Sequence, residues 1–112
     1  MLGADRRTAT RYVLGDLALE INGVAHETVD ISVRSVAVIA HPGIDYANPH
    51  GSVRFVSKHV PELNREVTSL AVTGLRRALA IFNYTVADPN WEALLIRHDV
   101  ANDTPVLQDI FG

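Results

Sequence analysis

The chain has no cysteine, a single lysine, one tryptophan and one methionine among 112 residues. Without a thiol there is no disulfide staple, no thiolate metal site and no cysteine nucleophile. Positive charge is almost all arginine, Lys58 being the exception, and the formal net charge is −3. A surface for polyanions ordinarily shows as a basic excess, so this balance argues against nucleic acid as the main partner. Arg6, Arg7 and Arg11 form one basic cluster and Arg76-Arg77 another. Both read as solvated faces before they read as phosphate contacts. Long apolar runs are also missing: the longest aliphatic stretch, Val36 to Ala40, is far too short to cross a bilayer. The first 30 residues lack the apolar stretch of a secretory signal, so the cytoplasm is the expected compartment. Asn83-Tyr84-Thr85 and Asn102-Asp103-Thr104 then read as chance glycosylation triplets.

What remains is an ordinary globular composition, 47% hydrophobic and 21% charged, with no internal repeat. The length suits one domain spanning 1–112, with residues 1–9 as a polar lead-in. From Tyr12 the apolar residues alternate. Val13, Leu17, Leu19 and Ile21 share one parity, and Val29, Ile31 and Val33 share another run after Asn22-Gly23. That pattern predicts two half-buried strands joined by a hairpin. Keeping Leu17, Val29 and Ile31 on one face requires an odd-membered connection, a type I turn with a bulge at Gly23. The parity change at Val36 and Val38 predicts a further bulge or burial on both faces. His41-Pro42-Gly43-Ile44 and Asn48-Pro49-His50-Gly51 read as turns, leading into a strand over Ser52 to Ser57.

After Pro61 the spacing becomes helical. Leu63, Val67, Leu70, Ala71, Gly74, Leu75, Ala78, Leu79 and Phe82 recur at three and four residues, which predicts a long helix over 61–83. Asp88-Pro89 predicts a second start, with Trp91, Leu94 and Leu95 as its apolar stripe and a strand over Leu94-Leu95-Ile96 as the alternative, and Thr104-Pro105 a short last helix. The expected fold is α+β: an antiparallel sheet of about four strands over residues 12–57, covered by the long helix and one or two shorter C-terminal helices.

No phosphate loop, nucleophile elbow, paired helical histidines or calcium loop is present. The stretch richest in chemistry is His41 to His50, a loop between strands. His41 and Asp45 are the candidate acid–base pair, an imidazole near neutrality with a carboxylate to orient it. Tyr46, Asn48, His50 and Trp91 are the candidate ligand-binding residues. A metal held by His41, Asp45 and His50 is chemically allowed, but the spacing matches no defensible motif and none is assigned. No cofactor is assigned either. His26 and His59 read as surface residues, and Arg97-His98-Asp99 as the polar end of a helix.

Two functions compete. A mean hydropathy of +0.10 at this size favours a binding or assembly domain that self-associates, most simply as a homodimer. Its partners would be a second copy and a small molecule or protein, not nucleic acid or membrane. The alternative is a small cofactor-independent enzyme doing proton transfer or hydrolysis with His41 and Asp45.

Overall fold

The computed structural model describes residues 10–47 and 51–100. Six strands run in the order β1 Leu17–Ile21, β2 Val24–Ile31, β3 Ser35–Ile39, β4 Val53–Ser57, β5 Arg65–Arg76 and β6 Leu79–Val86. A single 3-10 turn, Pro61–Leu63, separates β4 from β5, and one helix, α1, follows as Trp91–Arg97. The strands close into a barrel, β1-β2-β3-β6-β5-β4, antiparallel at every pairing. Closure comes from β1 lying against β4 over its full length, Leu17 opposite Ser57 and Ile21 opposite Val53.

This architecture corrects the expected α+β sandwich. Residues 61–83 are not a helix; they form one 3-10 turn and most of a long hairpin. The β-branched and aromatic residues Val67, Thr68, Val72, Thr73, Ile81, Phe82, Tyr84 and Thr85 favour the pleated backbone. The helical spacing has two sources, a bulge and apolar residues on the exposed face. The β5–β6 register slips between Val67 and Ser69 and again between Val72 and Gly74. The first bulge turns a period of two into a step of three, from Val67 to Leu70, and apolar residues at the exposed positions Ala71, Leu75 and Ala78 complete the helical spacing. The hairpin turn gives no warning either, because its left-handed residue is Arg77, at φ 51°, rather than glycine or asparagine. The Asp88-Pro89 start does lead into a helix, α1. The Thr104-Pro105 segment lies outside the described residues.

The expected three-residue connection after β1 is also corrected. Ile21 pairs with Val24, leaving Asn22 and Gly23 as a two-residue turn at φ 52° and 83°, the signs a primed turn demands. Leu19 therefore faces His26, and a bulge between Thr28 and Asp30 restores the parity. Ile31 is then fully buried, while Val29 is displaced to the surface at 39% exposure.

The core fills the barrel with Leu17, Leu19, Ile21, Ile31, Val36, Val38, Phe55 and Phe82. Its two ends are closed differently. At one end the loop after β3 brings Tyr46 under the rim against Phe82. At the other, β6 runs into α1, and Trp91, Leu94 and Leu95 are driven into the opening. Trp91 stacks on Phe55 at 5.1 Å between ring centres. Among the described residues no helix is long and apolar enough to cross a membrane.

Candidate functional site

Of the sequence-predicted site residues that are described, His41, Asp45 and Tyr46 lie at the loop end. His41 and Tyr46 are brought together there: the His41 backbone N–H donates to the Tyr46 hydroxyl at 2.7 Å. The third member is His26, read from sequence as a surface residue and found fully buried. Its Nδ1 lies 2.9 Å from the Val24 carbonyl and its Nε2 2.8 Å from the Tyr46 hydroxyl. A carbonyl only accepts, so Nδ1 carries the proton and Nε2 accepts from Tyr46. Burial pushes the His26 pKa down, and the nearby His41 charge adds to this against the opposing backbone hydrogen bonds. The His41 ring packs edge-on to His26 at 4.5 Å and donates from Nε2 to the Ala25 carbonyl at 3.1 Å. Asp45 accepts the Ala47 N–H at 3.0 Å, a local turn contact. Asn48 and His50 lie outside the described residues. Trp91 is at the far end of the barrel, its indole N–H donating to the Tyr84 hydroxyl at 2.7 Å.

The helix-capped end carries more surface chemistry. The β2–β3 connection, Ser32 to Ser35, is a tight corner built on one buried hydroxyl. Ser32 Oγ accepts the N–H of Ser35 at 3.1 Å, and the Ser32 backbone N–H donates to the Ser35 carbonyl at 2.7 Å. From below, the Tyr84 hydroxyl donates to the Ser32 carbonyl at 2.6 Å. A buried chain, Trp91 to Tyr84 to Ser32, thus locks the corner to α1; burial pushes the Tyr84 pKa up, with the Trp91 N–H opposing it. Across the corner lies Arg11. Tyr12 is bridged to Ile31 by two backbone hydrogen bonds, which hold the preceding residue in place. The Arg11 guanidinium donates to Ser35 Oγ at 2.5 Å and pairs with the Asp30 carboxylate. Arg34, in the same turn, is exposed.

Two further pairs occur at this end, Asp16 with His59 and Glu62 with His98, and Asp16, His59 and His98 line one pocket. Asp16 is buried enough to be pushed up, yet its hydrogen bonds from Ser57 and His59 carry it net below the usual carboxylate range. The His98 contact does the same for Glu62, with Arg97 assisting. No cluster of three or more potential metal ligands occurs among the described residues.

The sequence reading missed Asp30, Ser32 and Ser35 because they sit on a strand and its turn, where serine and aspartate have bland explanations. The signal for Arg11 was its cluster with Arg6 and Arg7. Asp16 and His59 are 43 residues apart, and only barrel closure joins them.

No family model matches the chain, and no curated protein sequence matches it. Among solved structures it is similar to the crystal structure of an uncharacterized Legionella protein. That match has a TM-score of 0.55 and 12% identity, and covers 89% of this chain and 98% of the other. At that identity the likeness is one of fold.

Proposed function

We propose that this chain is a non-catalytic binding domain whose arginine corner takes a small phosphate ester of the nucleotide class. The observation that carries the reading is the anchoring of Arg11. A flexible surface arginine loses side-chain entropy on binding; one already laid across Asp30 and Ser35 has lost most of it beforehand. Its side chain remains 40% exposed, and a guanidinium carries more N–H donors than Ser35 and Asp30 use. The planar fork matches two phosphate oxygens, and its face can stack on a base. Arg34, exposed in the same turn, adds a second cation. Asp30 limits the charge that fits: it repels a highly charged polyphosphate, while its carboxylate suits an N–H or O–H of a base or sugar. A mono- or diester of low charge satisfies both demands.

Calorimetry with inorganic phosphate, 5′-mononucleotides, and linear and cyclic dinucleotides tests this. A nucleotide that binds the unaltered chain is expected to lose about tenfold or more in affinity on Arg11→Ala, the scale of a charge-assisted hydrogen bond. Binding indifferent to Arg11→Ala, or no binding by any of these probes, contradicts the reading.

Self-association is a second reading, supported by a different observation. The β4–β5 ladder covers only Arg65 and Glu66 of β5, so from Val67 to Arg76 the outer edge has no ladder partner among the described residues. An open edge is a template for another strand, and Leu75 near its end is 59% exposed. Light scattering across a dilution series decides it: a mass near 12.2 kDa throughout leaves the dimer unsupported.

A further inference from the structure

Beside the arginine corner, the helix-capped end holds a pocket of about 320 Å3 with an aliphatic floor of Leu14, Val60, Leu63 and Val100. Two imidazoles, His59 and His98, stand in its wall. Each has one ring nitrogen fixed on a carboxylate. His59 Nδ1 lies 2.7 Å from Asp16 Oδ2, and His98 Nε2 meets Glu62 Oε2. Ionised carboxylates only accept, so those two nitrogens carry protons. What is left for a ligand is Nε2 of His59 and Nδ1 of His98. Both are lone pairs when the rings are neutral and N–H donors when the rings are charged.

The surroundings keep that change one-sided. Asp16 is held by the Ser57 hydroxyl and the His59 backbone N–H, both at 2.9 Å. Glu62 is held by His98 and by Arg97 at 3.6 Å. Both carboxyls are thereby kept below the usual carboxylate range, so each ring faces an ionised partner. Lys58 lines the adjoining cavity beside His59 and adds positive charge. Asp99, on the turn after α1, is buried and accepts the Val13 N–H at 2.9 Å.

We propose that this pocket is a second ligand site, taking a small carboxylate with an aliphatic body between the protonated rings of His59 and His98. The head group receives the two N–H donors and the chain lies on the aliphatic floor. A cavity of this size is at the small end of ligand pockets, which suits a short acyl chain. A carboxylate is held only by N–H donors, so binding favours the charged rings and affinity rises as pH falls.

Sodium butyrate and the 15N-labelled chain test it by NMR. The expected result is saturable shifts of the Leu14, Gly15, Val60 and Val100 amides, with the His59 and His98 ring nitrogens moving to their charged-form positions. Affinity should be severalfold higher at pH 5.5 than at pH 7.5, because only charged rings offer both N–H donors. His59→Gln and His98→Gln should each reduce that ratio, and butylamine at pH 5.5 should leave the pocket unshifted. If either variant fails to fold, the ring-nitrogen readout in the unaltered chain still decides. No saturable shift at either pH, equal affinity at both, or butylamine binding as well as butyrate overturns the proposal. Phosphate probes read out instead at the Ser32–Ser35 amides, so this site and the arginine corner fail independently.

Discussion

The two ends of the barrel solve one problem by opposite means. Each must stop the core from opening to water, and each uses an aromatic residue with a polar tip to do so. At the loop end the tip is Tyr46, and the polar groups it meets, His26 and the His41 backbone, are folded inward. At the helix end Trp91 and Tyr84 form the seal, and the ionisable groups Arg11, Asp16, His59, Glu62 and His98 stay at the surface. Imidazoles committed to internal partners hold a structure together. Imidazoles and guanidinium groups oriented by a carboxylate, with donors to spare, are disposed to meet a ligand.

The largest expected effect is at the helix end. Trp91→Ala removes the ring stacked on Phe55 and leaves a cavity in the seal, at a cost of about 3–5 kcal/mol by denaturant titration. Removing one hydroxyl from each seal sharpens the contrast. Tyr84→Phe orphans the Trp91 N–H and the Ser32 carbonyl, and Tyr46→Phe orphans His26 Nε2 and the His41 N–H. Each is expected to cost about 1–3 kcal/mol. Tyr84→Phe should be the worse of the two, because the exposed His41 can recruit water to its freed N–H. Equal losses would mean that the ends do not differ in this respect.

Acid separates the ends by window. His26 has a lowered pKa in the folded chain, so the unfolded chain binds its proton more readily. Its contribution is complete above an unfolded value near 6.5 and is lost as pH falls below that. His26→Gln should therefore flatten the stability difference between pH 7.5 and 5.5. Asp16, also lowered, contributes above an unfolded value near 3.9 and loses that contribution only as pH falls further. Asp16→Asn should change the profile below pH 4. The smallest effect lies in the β5–β6 turn, where Arg77→Gly removes a left-handed non-glycine residue. It should stabilise by no more than about 1 kcal/mol.

The legible parts of the fold were those whose signals are local. Alternation marks β1 and much of β2, Asn22-Gly23 marks a hairpin, and Asp88-Pro89 marks the approach to α1. The β5–β6 hairpin was illegible for an identifiable reason: the bulge after Val67 and apolar residues at the exposed positions Ala71 and Leu75 disguise a period of two as helical spacing, and Arg77 occupies the turn position where glycine would have given it away. The β2 bulge likewise hid His26 in the core, since parity counted from Ile31 places it outside. For the site, sequence drew attention to the polar 41–50 loop, and the structure does gather His41 and Tyr46 there. It separates Trp91 from them by the length of the barrel. The pairs Arg11–Asp30, Asp16–His59 and Glu62–His98 join residues 19, 43 and 36 positions apart. Such juxtapositions follow from strand order, which no local pattern encodes.

The most direct test of the claim that the helix-capped end is the binding end is an amide chemical-shift map of the barrel with the nucleotide that binds most tightly in calorimetry. The expected result is shifts concentrated at Arg11, Asp30 and Ser32 to Ser35, extending through Tyr84 to the Trp91 indole N–H, with residues 41–47 unmoved. Shifts centred on His41 to Ala47, with the arginine corner silent, would contradict it.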